Sequence, residues 1–140
     1  SQMAEAFLRA HGGDVFEPYS AGLEPAPIHP MTLRVMEEAG FDLLALGHHP
    51  KGLDEFLMKK HVGYLITVCA NAEAQCPVLP GVSAREYWGL EDPAAFEGDE
   101  EARLNKFREI RDEMEDRVRA FIARETTGHD RRLDRRPTGA

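Results

Sequence analysis

The segment HVGYLITVCANAEAQC, residues 61–76, decides the fold class and raises the first question about function. Its first part, residues 61–69, is a nearly continuous apolar run, which is typical of a strand covered on both faces of a parallel sheet. The run ends in Cys69, and Cys76, the second of only two cysteines in the chain, follows after six small or polar residues. A proposed function must therefore explain why both thiols stand on one loop.

Helices and strands alternate on either side of this segment. Apolar spacing and the positions of glycine and proline predict helices over residues 1–10, 30–39, 54–60 and 99–124, and strands over 14–22, 61–69 and 84–90. Such alternation indicates an α/β fold with a parallel sheet and helices on both faces. Ligand sites of these folds lie beyond the carboxyl ends of the strands, which is where the predicted strand ends in Cys69.

Composition excludes several classes of protein. The 140 residues carry a formal charge of −8, which argues against a general nucleic-acid-binding protein, because such proteins use basic residues to neutralise phosphates. No apolar run approaches the roughly 20 residues that cross a bilayer, so no membrane span is expected. We predict one domain over residues 1–124 and a flexible tail over 125–140, where the apolar periodicity is lost.

The two cysteines, without a secretory pattern, point to a reducing compartment, which we take to be the cytoplasm. There a cysteine pair is more often catalytic or metal-binding than a structural disulfide. Six intervening residues are not a usual spacing for a zinc site, which favours thiol chemistry over metal binding. Taken alone, Cys69 could also be a small buried apolar residue, the commonest fate of a free cysteine.

Three other motifs accompany the C-x6-C-P of residues 69–77. They are SQMAE at 1–5, YSAG at 19–22 and WGLEDPA at 88–94. Together the four motifs resemble the thioredoxin-coupled arsenate reductases, a branch of the low-molecular-weight protein tyrosine phosphatase superfamily, over residues 1 to about 124. The resemblance implies the α/β fold of that superfamily and reduction of arsenate to arsenite in the cytoplasm, as part of arsenic detoxification, with thioredoxin as the reductant.

The resemblance also implies residues upstream of this sequence. In that family the first strand leads into a phosphate-binding loop of pattern C-x5-R, and SQMAE follows its arginine directly. The first strand, the nucleophilic cysteine and the arginine are therefore expected before Ser1, and the 140 residues alone are expected to be inactive. Ser1 would be the last residue of the loop, where the start of a helix favours a bound oxyanion.

The remaining catalytic residues take their roles from the resemblance. Asp92 would protonate the oxygen that leaves arsenate when the nucleophilic thiolate attacks. Cys69 would then attack the sulfur of the adduct and release arsenite, and Cys76 would attack Cys69, leaving a Cys69–Cys76 disulfide for thioredoxin to reduce. Taken alone, Asp92 before a proline is better explained as a turn residue, and the preceding Trp88-Gly89 favours the acid instead.

The resemblance requires no cofactor but suggests a potassium ion. Glu5 and Ser20 match positions that bind this ion in some family members. Taken alone, they would be a solvated helix carboxylate and a turn hydroxyl. Two further positions expected to hold the ion carry Gly47 and His49 instead of the family's threonine and aspartate.

Two other functions stay open on the sequence alone. A low-molecular-weight protein tyrosine phosphatase shares the fold and Asp92, but it has no use for the cysteine pair. It usually carries an aromatic residue beside its acid loop, where this chain has Ala94 and Ala95. A non-catalytic binding or regulatory module would need no nucleophile at all.

Overall fold

The structure is a computed structural model that describes residues 2–16, 18, 27–46, 63–75 and 82–134. In chain order its elements are α1 (Gln2–Gly12), α2 (Pro30–Glu38), β1 (Tyr64–Thr67), α3 (Ala70–Gln75), β2 (Ala84–Tyr87), a 3-10 helix (Pro93–Ala95) and α4 (Glu100–Asp134). Helices that alternate with strands agree with the predicted α/β class. The predicted helix over 54–60 lies outside the described residues.

The strands β1 and β2 are parallel neighbours. Tyr64 pairs with Ala84 and Thr67 pairs with Tyr87, so both strands end at the same edge of the sheet. Hydrogen bonds continue past this last pair, because the Trp88 amide donates to the Thr67 carbonyl at 2.9 Å. The segment that follows β2 is thereby held beside the end of β1.

The core forms where α1 and α2 pack against α4. The largest fully buried side chains are Phe7, Val35, Met36, Leu43, Phe107 and Val118. The apolar stripe predicted for the last helix is buried at Leu104, Phe107, Ile110, Met114, Val118 and Phe121. The period near 3.6 therefore identified the face of α4 that packs inward.

Two local predictions differ from the structure. Asp14 and Val15, at the start of the strand predicted over 14–22, lie in a turn instead, because the amides of Val15 and Phe16 donate back to the Gly12 carbonyl, at 3.0 and 2.8 Å. Residues 17 and 19–22 of that predicted strand lie outside the described residues. Residues 70–75 form the helix α3 where a loop was predicted. Three of its six residues are alanine, the strongest helix former, and this local preference explains the difference.

The helix α4 begins as predicted and ends later. The Ala102 amide donates to the Asp99 carboxylate at 2.7 Å, so Asp99 caps the helix. The helix ends at Asp134 rather than at 124, so the backbone of residues 125–134 is helical where a flexible tail was predicted. Thr126, Thr127 and Gly128 are weak helix formers, but no proline interrupts residues 125–134, and the next proline is Pro137. Neither α4 nor any other helix in the described ranges is long and apolar enough to cross a membrane.

An ion-pair network joins the end of α2 to α4. The Glu38 carboxylate accepts hydrogen bonds from Nε and Nη2 of Arg108, at 2.8 and 2.7 Å, and from Nη1 of Arg111 at 3.3 Å. The hydrogen bonds from Arg108, the largest contribution, lower the pKa of Glu38 from an ordinary value of 4.5 to about 2. Arg111 also donates to the Val35 carbonyl at 2.8 Å, which fixes the position of α2 along α4.

We expect Glu38→Gln to lower the free energy of unfolding at neutral pH and to have less effect in acid. Because the pKa of Glu38 is lower in the folded state, its contribution to stability is full above pH 4.5 and is lost as the pH falls through about 2. Urea unfolding at about pH 7 and about pH 3 measures this, with Glu37→Gln at the neighbouring exposed position as the control. An equal destabilisation at both pH values would contradict the assignment.

Candidate active site

Cys69 lies at the junction of β1 and α3. It is separated from the last residue of β1 by Val68 and directly precedes the first residue of α3. Its carbonyl accepts a hydrogen bond from the Glu73 amide at 3.0 Å, which closes the first turn of α3. Its side chain is a free thiol that is only partly buried. The partial exposure argues against the alternative of a fully buried apolar residue.

The loop that carries Asp92 is anchored in the core just after β2. Trp88 and Leu90 are buried, with 7% and 5% of their surface exposed, while Asp92 is exposed. Gly89 between them has φ +64°, a left-handed conformation that glycine adopts with little strain. The loop can therefore turn between two buried side chains and present Asp92 at the surface.

Asp92 also stabilises its own loop. One of its carboxylate oxygens, Oδ1, accepts a hydrogen bond from the Ala94 amide at 3.0 Å and caps the 3-10 helix. The interpretation of Asp92 as a turn residue is thus correct at the level of structure. A carboxyl group has two oxygens, so this capping role is compatible with proton donation from the second one.

Backbone hydrogen bonds bring Cys69 and the Asp92 loop to one edge of the sheet. The Leu90 amide donates to the Val68 carbonyl at 2.8 Å. This bond joins the residue before Cys69 to the residue two positions before Asp92. The edge is formed by the carboxyl ends of two parallel strands, where α/β proteins bind their ligands.

Of the other predicted site residues, the structure describes only Glu5. Cys76, Ser1 and Ser20 lie outside the described residues, as do Gly47 and His49. Glu5 is described and lies on α1 with only 4% of its surface exposed. The alternative that Glu5 is a solvated carboxylate is therefore wrong, because it lies on the face of α1 that packs inward. In the described part of the chain, no three His, Cys, Asp or Glu residues cluster as a metal site requires.

Three polar residues beside Cys69 are not among the predicted site residues. The Thr67 hydroxyl of β1 donates to the Glu73 carboxylate of α3. Arg85 of β2 reaches the same carboxylate, with Nη2 at 3.6 Å from Oε2. A hydroxyl in an apolar strand and an acid between two cysteines are the sequence signals that could have suggested this contact.

A cleft elsewhere on the surface holds none of the predicted site residues. It has a volume of about 560 Å³ and is lined by Arg34, Asp99, Glu100, Glu101, Leu104 and Arg108. Arg34 and Glu100 lie 3.8 Å apart across it, so its charges pair with one another. It lies between α2 and the start of α4 and is not part of the candidate site.

Known proteins similar to this chain include arsenate reductases. The arsenate reductase of Bacillus licheniformis is 36% identical over 121 residues, which cover 86% of this chain and 85% of that protein. The arsenate reductase of Bacillus subtilis is 32% identical over the same shares of both chains. Each similarity extends over most of both proteins.

Solved structures agree with these relatives. A structure described as an arsenate reductase in the oxidized state matches with a TM-score of 0.70 at 30% identity, covering 89% of this chain and 88% of that one. Another, described as being in the phosphate binding state, matches with a TM-score of 0.68 at 30% identity and the same coverage. These matches confirm the predicted α/β fold.

The family match covers almost the whole chain. Residues 1–133 match the family described as low molecular weight phosphotyrosine protein phosphatase. The match includes both strands, the Asp92 loop and Cys69, which the sequence resemblance singled out. The chain belongs to the low molecular weight phosphotyrosine protein phosphatase family.

Proposed function

We propose that this protein reduces arsenate to arsenite and passes the resulting oxidation through Cys69 and Cys76 to thioredoxin. The observation that carries the proposal is the position of Cys69, at the end of β1 and directly beside the loop of Asp92. Relatives named arsenate reductase, at 32–36% identity over most of the chain, support the same activity. The cytoplasm, where thiols are kept reduced, is the compartment that suits such a relay.

The proposed reaction begins with a nucleophilic thiolate, which the family resemblance assigns to a C-x5-R loop. The thiolate attacks arsenate, and an oxygen leaves as water after Asp92 donates a proton. Ser1, which directly precedes α1 in the sequence, would contribute to holding the oxyanion. This step forms a sulfur–arsenic bond and leaves arsenic in its oxidised state.

Cys69 then carries out the reduction. Its thiolate attacks the sulfur of the adduct, a disulfide forms, and the electron pair of the broken sulfur–arsenic bond stays on arsenic, which leaves as arsenite. Cys76 attacks Cys69 next and releases the first thiolate. The dithiol of thioredoxin finally supplies two electrons and two protons that reduce the Cys69–Cys76 disulfide.

The helix α3 imposes a constraint on this relay. An α-helix rises about 1.5 Å per residue, so a helix of six residues is about 9 Å long. A disulfide needs Cα atoms within about 4.4–6.8 Å of each other. Cys69 and Cys76 flank α3 in the sequence, so the formation of their disulfide requires that α3 unwind at least in part.

The relay is tested with the protein expressed together with whatever residues precede Ser1 in its gene. Cys69→Ser and Cys76→Ser are expected to lose arsenite formation driven by thioredoxin, thioredoxin reductase and NADPH, because each removes one sulfur of the relay. Both should still hydrolyse an aryl phosphate, which needs only the nucleophile and Asp92. Ala74→Ser, at an exposed position of α3, is the matched control and should keep both activities.

The same assay distinguishes the alternatives. Unchanged arsenite formation in either cysteine variant would contradict the relay. Aryl phosphate hydrolysis without arsenate reduction in the wild type would favour a phosphatase, and the absence of both would favour a non-catalytic module.

Asp92→Asn separates the two proposed roles of this residue. Asparagine keeps an oxygen that can accept from the Ala94 amide, but it has no acidic proton to donate. We expect its thermal midpoint to stay near that of the wild type while turnover falls about 100-fold or more. Asp92→Ala should lose both the cap and the turnover. Full activity of Asp92→Asn in a steady-state arsenite assay would contradict the role as general acid.

A potassium ion is proposed to bind at Glu5 and Ser20. The buried carboxylate of Glu5 supports this, since carboxylate and hydroxyl oxygens suit hard cations. The positive charge of a bound potassium ion would offset the buried negative charge of Glu5 and so stabilise the packing of α1. We expect a higher thermal midpoint in KCl than in NaCl of equal concentration, and no such difference in Ser20→Ala. Equal midpoints of the wild type in both salts would contradict potassium binding.

A further inference from the structure

The carboxylate of Glu73 connects α3 to both strands of the sheet. It accepts a hydrogen bond from the Thr67 hydroxyl of β1 and pairs with Arg85 of β2 at 3.6 Å. Arg85 Nη2 also donates to the backbone carbonyl of Glu73 at 3.3 Å. One side chain of β2 therefore holds both the carboxylate and the backbone of the helix between the two cysteines.

The Thr67 hydroxyl has a second acceptor within reach. Thr67 is buried, with 5% of its surface exposed, and its Oγ1 lies 3.3 Å from the Glu86 carbonyl. A hydroxyl has a single proton to donate, and while α3 is wound this proton is hydrogen-bonded to the Glu73 carboxylate. When Glu73 moves away, the Thr67 hydroxyl can rotate and donate to the Glu86 carbonyl instead. The unwinding of α3 therefore leaves this buried hydroxyl with a hydrogen-bond partner.

We propose that Thr67, Glu73 and Arg85 form a latch that holds α3 wound in the dithiol state and thereby sets the reduction potential of the Cys69–Cys76 pair. The proposal rests on the proposed function, because it requires that this disulfide form. Glu73 is a positioning residue, since it acts on the cysteines through α3 and contacts no reacting atom. Its backbone amide, which donates to the Cys69 carbonyl at 3.0 Å, joins the latch to the first cysteine.

The latch acts on one redox state only. It is closed when α3 is wound, and the disulfide requires that α3 unwind, so its hydrogen bonds and ion pair stabilise the dithiol and not the disulfide. An interaction confined to the dithiol raises the reduction potential and makes the disulfide easier to reduce. The latch would therefore favour reduction of the Cys69–Cys76 disulfide by thioredoxin.

The test is a redox titration of the protein expressed with whatever residues precede Ser1 in its gene. Formation of the Cys69–Cys76 disulfide releases two electrons and two protons, which pass to oxidised dithiothreitol and give its dithiol. After equilibration, thiols are alkylated and the fraction of this disulfide is measured by mass spectrometry. The wild type, Glu73→Ala, Thr67→Val and Thr67→Ser are compared.

Glu73→Ala is expected to raise the equilibrium constant for disulfide formation about tenfold, which lowers the reduction potential by about 30 mV. Alanine is a stronger helix former than glutamate, so helix propensity works against this shift and cannot produce it. Thr67→Val should shift the potential in the same direction, whereas Thr67→Ser keeps the hydroxyl and should keep the wild-type potential.

Glu38→Ala is the matched control. It removes a carboxylate with strong ion pairs on α2, away from α3, and should lower stability without moving the potential. The latch is overturned by an unchanged potential in Glu73→Ala, by an equal shift in Glu38→Ala, or by an equal shift in Thr67→Ser and Thr67→Val. If the wild type forms no Cys69–Cys76 disulfide under any of these conditions, the relay itself fails and the latch fails with it.

Discussion

The pairing of β1 with β2 is the constraint on which the candidate site depends. The register that places Thr67 opposite Tyr87 ends both strands at one edge, and two further hydrogen bonds extend the pairing to Val68 and Leu90. Cys69 and Asp92 come from segments that are distant in sequence, yet each follows directly from this paired backbone. A shift of register would move the two residues apart along the strands even if every side chain were kept.

Aromatic contacts from α4 support the paired strands. Phe121 of α4 makes edge-to-face contacts with Tyr64 of β1, at 5.5 Å between ring centroids, and with Trp88 just after β2, at 6.3 Å. One side chain of the long helix therefore contacts the start of one strand and the end of the other. Aromatic pairs of this kind add to the stabilisation that burial alone provides. The apolar stripe of α4 thus serves the site as well as the core.

The sequence predicted the elements whose pattern is long and regular, and it was less successful where short-range interactions decide. The stripe from Leu104 to Phe121 and the apolar run into Cys69 were sufficient to predict α4 and β1. The turn at 13–15 and the helix α3 depend on a few backbone hydrogen bonds and on local propensity, which a search for hydrophobic periodicity does not detect. The site residues came from motifs, which could not reveal Arg85, because its contact from β2 with Glu73 is visible only once the pairing of the strands is known.

The wound state of α3 places two demands on the same six residues. A helix of this length has little intrinsic stability in water, so it needs contacts with the rest of the fold to stay wound. A relay between its flanking cysteines needs it to unwind, which strong apolar packing would prevent. Polar contacts from Glu73 to Thr67 and Arg85 meet both demands, because they are directional, partly exposed and replaceable by water or by the Glu86 carbonyl. We therefore expect polar rather than apolar contacts wherever a redox pair must change its separation during turnover.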